Sequence, residues 1–107
     1  MATHFFDIDG TIVYYHTNEW LPGAKEYIQK LAHEGHQIIF ITMRDKIRDK
    51  NEIWSVENLQ STILKELDLL GIEYGFLSNV SSPRIMHDDS PIQLDCRFTN
   101  QPYNLKS

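Results

Sequence analysis

The residues best suited to chemistry come at the start. Asp7 and Asp9 stand two apart at the end of the apolar run Thr3-His4-Phe5-Phe6, and Gly10-Thr11 follow directly. In a strand, residues i and i+2 share a face, so both carboxylates leave the strand tip together. Like charges placed side by side are unfavourable unless a shared proton or a cation relieves them, and a divalent metal ion is the expected relief. Gly10 and Thr11 supply a turn whose backbone N–H groups suit an anion such as phosphate. Metal and phosphate chemistry thus meet in one short stretch of chain.

Such groups need a scaffold. At 107 residues and 41% hydrophobic content the chain is expected to form a single domain, residues 1–107, with one core. A net charge of -5 argues against a general nucleic-acid binder. Cys96 is the only cysteine, which excludes an intrachain disulfide and suits a reducing compartment; its simplest role is a small semi-apolar filler. There is no signal-like N-terminal segment and no apolar run long enough to span a membrane, so a cytoplasmic, non-membrane protein is expected.

The apolar periodicity predicts the elements. Thr3 to Phe6 reads as a strand. Ile12 to Leu21, with Tyr14, Tyr15, His16 and Trp20, reads as a short hairpin or flap, punctuated by Pro22-Gly23. Ala24 to Glu34 has helical spacing and stops at Gly35. Ile38-Ile39-Phe40-Ile41-Thr42 is a continuous run, as in a strand covered on both faces. Arg44 to Asn51 is a charged, solvated loop or helix start, and Ile53 to Leu70 one helix ended by Gly71. Ile72 to Leu77 reads as a third strand and Arg84-Ile85-Met86-His87 as a fourth. A short edge strand is expected over Ile92 to Phe98, with an irregular end after it. Alternating strands and helices imply a parallel sheet with its site at the carboxyl ends of the strands. Asp7 and Asp9, Thr42, and Asp88-Asp89 all fall at that edge.

With those residues in place, the chain resembles the haloacid dehalogenase-like superfamily of phosphohydrolases, in its small capless form. Asp7-Ile8-Asp9-Gly10-Thr11 resembles the first motif, Thr42 the second and Asp88-Asp89 the acidic fourth, and His87-Asp88-Asp89-Ser90-Pro91 is similar to capless members acting on phosphoproteins. The resemblance implies a three-layer α/β sandwich with a small parallel Rossmann-like sheet and no cap domain. It implies that Asp7 is a nucleophile forming an aspartyl phosphate, and that Asp9 is an acid and base with a pKa raised by its like-charged neighbour. Thr42 and the backbone near Ile8, Gly10, Thr11 and Met43 would hold phosphoryl oxygens. Magnesium would sit on Asp7, the carbonyl of Asp9 and one of Asp88 or Asp89.

The family's third motif is a lysine, and none lies between Leu77 and Asp88. Arg84 is either the substitute phosphate clamp or a surface arginine at the far end of its strand; Arg44 or Lys46 are the other cations able to turn inward. The flap aromatics either contact substrate or close one end of the core. His87 reads as a locally bonded packed histidine, and His33, Glu34 and His36 as solvent-facing.

The expected activity is magnesium-dependent hydrolysis of a phosphomonoester. Two further classes stand beside it: a catalytically impaired metal- and phosphate-binding regulatory module, and a receiver-like phosphoacceptor, against which the position of Asp-x-Asp on the first strand argues. Without a cap, the expected partner is a phosphorylated macromolecule, or a phosphorylated small molecule in a site closed by a homo-oligomer.

Overall fold

Strand and helix signals that agree over several residues produce the scaffold. The structure, a computed structural model, describes residues 1–89. β1 (Thr3–Asp7) and β2 (Gln37–Ile41) pair in parallel from Thr3↔Gln37 to Asp7↔Ile41. β3 (Gly75–Leu77) joins the other edge of β2 in parallel, giving the order β1-β2-β3.

Between the first two strands, α1 (Ala24–His33) buries Ala24, Ile28 and Leu31, the stripe its spacing predicts. It ends at Gly35, whose φ of 87° is the left-handed conformation glycine adopts without a Cβ clash. The Gly35 N–H donates to Ala32 O and the His36 N–H to Leu31 O, closing the open carbonyls. The same pair of bonds, Gly71 N–H to Asp68 O and Ile72 N–H to Leu67 O, ends the helix before β3.

The single helix expected over Ile53 to Leu70 is two: α2 (Val56–Ser61) and α3 (Ile63–Leu69). Thr62, at φ -120° and ψ -85°, is the break. The hydroxyls of Ser61 and Thr62 both donate to the Asn58 carbonyl, at 3.2 and 2.5 Å, competing with the backbone bonds that would carry the helix through. The apolar spacing continues across the break, so Leu59, Ile63, Leu64 and Leu67 still reach the core.

All three helices cover one face of the sheet. Phe6, Ile38 and Phe40 alternate inward and form one core cluster with residues of α1, α2 and α3. Each connection steps one strand further in the same direction, and parallel crossovers keep one hand, so both land on the same side. On the opposite face Phe5 and Leu77 are about half exposed. The described residues therefore form two layers where three were expected. The expected fourth strand is absent too: Arg84 to His87 run as irregular chain, with Ile85 and Met86 exposed because no described element offers them a core to cover. The expected edge strand from Ile92 lies outside the described residues, as does Cys96. No described helix is long and apolar enough to cross a membrane.

Candidate functional site

Because Asp7↔Ile41 is the last pair of the ladder, β1 and β2 release their chains side by side. On the β1 side the chain curls at once around the buried Ile8, whose carbonyl accepts from the N–H groups of Thr11, Ile12 and Val13. The Gly10 N–H donates to Val13 O at 2.9 Å. Gly10 and Thr11, expected to offer free N–H groups to an anion, thus spend them inside this turn. The Thr11 hydroxyl lies 3.5 Å from Asp7 Oδ2.

The expected flap follows. Tyr14 N–H donates to Glu19 O and Leu21 N–H to Ile12 O, making a hairpin with Val13 opposite Trp20. Its aromatics divide. Trp20 turns inward and donates from Nε1 to Glu66 Oε2 at 2.9 Å, while Lys25 Nζ donates to Glu66 Oε1 at 2.8 Å. The hydrogen bond from Lys25 is the main reason the Glu66 carboxyl titrates below its ordinary range. Tyr14, Tyr15 and His16 face solvent.

On the β2 side Thr42 is fully buried and pinned: its N–H donates to Leu77 O, its carbonyl accepts from Val80 N–H, and its hydroxyl accepts from Arg44 N–H. That leaves the hydroxyl proton to be donated. Met43 has an exposed side chain, and its carbonyl accepts from Arg48. In the loop beyond, Arg48 hydrogen-bonds Asp49 and lowers the pKa of that carboxyl.

Arg44 is the residue whose role the sequence least disclosed. Its side chain is 2% exposed. Nε donates to Asp9 Oδ2 at 3.0 Å and Nη2 to Asp9 Oδ1 at 2.7 Å, a two-pronged, charge-assisted contact. The remaining donors go to the flap, Nη1 to Asn18 Oδ1 and Nη2 also to Thr17 O. Asp9, itself 16% exposed, accepts a further bond from His16 N–H at 3.1 Å. The counter-charge for Asp9 is thus a guanidinium. Continued past its last pair, the register sets Asp9 opposite Met43 and Gly10 opposite Arg44, so it brings the two exits together without singling out Arg44, whose side chain reaches Asp9 across one position.

Arg84 also reaches the site. Nη1 lies 3.5 Å from Asp7 Oδ1, and Nη2 donates to Val80 O at 3.2 Å. The far-end placement expected from a fourth strand does not hold, because that strand does not form. Asp7 keeps a side chain 39% exposed, open to a ligand.

Asp88 and Asp89 lie on exposed irregular chain. Among the described residues no three His, Cys, Asp or Glu side chains are grouped so as to hold a metal ion, so the structure does not bring this pair together with Asp7 and Asp9 as a ligand cluster. His87 is likewise on exposed chain rather than packed in a strand. His36, expected to face solvent, is partly covered: Nδ1 accepts from Ala2 N–H and its ring meets His4 edge-on.

The arrangement offers an accessible carboxylate, a second held by a buried arginine, a buried threonine hydroxyl and a partly exposed guanidinium, all at one end of a parallel sheet. No family model, no curated protein and no solved structure matches the chain. What stands is a small α/β fold with a three-stranded parallel sheet, of generally Rossmannoid arrangement.

Proposed function

We propose that this chain is a magnesium-dependent phosphomonoester hydrolase of the haloacid dehalogenase-like type, acting through an aspartyl phosphate on Asp7. The observation that carries the reading is the pairing of two carboxylates at one strand exit, one open and one clamped: Asp7 half-exposed, Asp9 forked by the buried Arg44.

In this reading an Asp7 oxygen attacks phosphorus and the bond to the leaving oxygen breaks, that oxygen taking its proton from Asp9. Asp9 then withdraws a proton from the water that hydrolyses the acyl phosphate. Asp9 Oδ1 accepts from both Arg44 Nη2 and His16 N–H while Oδ2 accepts only from Arg44 Nε, so Oδ2 keeps a lone pair for the transferred proton. Arg84 lies beside Asp7, where the reading needs a cation, and the Thr42 hydroxyl, fully buried here, would donate to a phosphoryl oxygen only once the chain over it opens.

The donor set suits magnesium in kind, being hard carboxylate oxygen. Asp7 and the Asp9 carbonyl would hold the ion, with Asp88 or Asp89 joining only if their exposed stretch of chain moves in to Asp7, and the chemistry it would supply is the offset of charge between an anionic nucleophile and an anionic phosphate.

The test is phosphate release from a panel of phosphomonoesters, with magnesium and with chelator, against Asp7→Asn. Magnesium-dependent release lost in the variant supports the reading; release unaffected by the variant removes Asp7 as nucleophile. A second reading, a phosphate-binding module without turnover, is favoured by the acceptor-only posture of Asp9. Its signature is phosphate and magnesium binding by a folded protein that releases nothing.

A further inference from the structure

Beside Asp9 lies an aromatic surface that the hydrolytic machinery does not use. His16, whose N–H bonds the Asp9 carboxylate, stacks its ring on Trp54 with centroids 4.7 Å apart and planes 17° from parallel. The Tyr15 ring lies 4.3 Å from the His16 ring on the same hairpin, and Tyr15 remains 69% exposed. Two separate pieces of chain, the flap and the loop after β2, therefore contribute to one run of rings. Asn18, donating from Nδ2 to Ile53 O, ties the same two pieces together.

This surface is not core. The flap aromatic that serves the core is Trp20, engaged with Glu66. His16 instead holds a left-handed backbone, φ 57°, which a side-chain-bearing residue adopts at a cost. Rings grouped beside a polar centre are how a site takes a ligand with one charged end and one flat apolar end.

Resting on the function proposed above, in which Asp9 faces the leaving oxygen, we infer that the leaving group carries a planar aromatic ring, which stacks on the surface formed by Tyr15, His16 and Trp54. The substrate class is then an aryl-bearing or nucleobase-bearing phosphomonoester, and a simple alkyl or polyol phosphate lacks the group this wall recognises. A ring stacked on such a surface is expected to gain about tenfold or more in affinity over the same phosphate without it.

The experiment compares benzyl phosphate with ethyl phosphate, whose leaving alcohols are of similar acidity, so that their ratio reports the ring and not the ease of bond breaking. Turnover is read as kcat/KM in the unaltered protein, Tyr15→Ala and Trp54→Leu, and equilibrium binding of both compounds is read by calorimetry in Asp7→Asn. A benzyl to ethyl ratio of about ten or more, falling toward one in both ring variants, supports the inference. Equal values for the two compounds in the unaltered protein overturn it, even where both are hydrolysed. Ring-selective binding without any phosphate release leaves the aromatic site standing and overturns the hydrolase. Calorimetry on Asp7→Asn therefore separates the two claims, and the unaltered protein decides the ring claim should a variant fail to fold.

Discussion

Arg44 holds Asp9 by both carboxylate oxygens, Nη2 at 2.7 Å from Oδ1 and Nε at 3.0 Å from Oδ2, inside a site where the arginine side chain is 2% exposed. The same guanidinium bonds Thr17 O and Asn18 on the flap. One side chain from the β2 exit thus fixes both a carboxylate from the β1 exit and the loop that covers it.

Removing that side chain leaves Asp9 without its buried partner. Arg44→Ala is expected to destabilise by about 3–5 kcal/mol, and Arg44→Lys, which keeps charge but not the fork, by less. Urea and thermal unfolding measure this. Combining Asp9→Asn with Arg44→Ala should cost less than the sum of the two single changes. An Arg44→Ala protein as stable as the parent would show that the fork contributes nothing.

Arg84 and Asp7 present the opposite case, a partly exposed pair at 3.5 Å. Arg84→Ala should change stability by no more than about 0.5 kcal/mol, as exposed pairs do. Under the proposed hydrolysis it should lower kcat/KM by about 10- to 100-fold, the loss of a charge-assisted phosphate contact. Unchanged kinetics would return Arg84 to the role of a surface arginine.

Two titrating groups make stability pH-dependent at opposite ends. The Glu66 carboxyl titrates below its ordinary 4.5, chiefly through the bond from Lys25. Its contribution is therefore present above that value and lost as pH falls through the lowered one. Burial, with the bond to Asp68, pushes the Tyr74 hydroxyl up to about 12. The Tyr74 contribution is full below its ordinary value of 10.0 and lost as pH rises toward 12. Unfolding curves across pH should lose their acid slope in part with Glu66→Gln and their alkaline slope in part with Tyr74→Phe. Ultraviolet titration in which every tyrosine ionises together near 10.0 would contradict the Tyr74 assignment.

Ser55 caps α2 by accepting from Asn58 N–H at 3.1 Å while almost wholly buried. Ser55→Ala should cost about 1 kcal/mol and Ser55→Gly less, glycine being the better N-cap of the two. Equal melting of all three proteins would remove the cap from the account.

Where periodicity and termination signals agree, the fold is legible in the residues. β1, β2 and α1 follow from their apolar spacing, and Gly35 and Gly71 mark helix ends because each closes the chain in the left-handed region. The break at Thr62 is hidden, since apolar spacing continues across it and the deciding hydroxyl bonds leave no trace in that pattern. Ile85 and Met86 have strand-like character without a face to bury, and residue type cannot supply the face. Asp7 and Asp9 are legible as a pair, but a charged loop containing Arg44, Lys46, Arg48 and Lys50 does not say which cation turns inward. The β1–β2 register narrows the choice to the first residues after Ile41, and the side-chain fork itself identifies Arg44. Trp54 carries no positional cue, because its ring meets His16 through loop geometry alone.

The order β1-β2-β3 has a consequence in time. Among the described residues β2 has a partner along each edge, and its continuation is laced to the third strand's exit through Thr42 N–H to Leu77 O, Val80 N–H to Thr42 O and Asn79 N–H to Arg44 O. β1 has a described neighbour on one side only. Amide exchange should accordingly be slowest in β2 and faster in β1, in keeping with the number of bonds each opening must break. The two halves of the site then live on different clocks: the Thr42 and Arg44 half persists nearly as long as the core, while the Asp7 and Arg84 half renews itself at the rate of an edge.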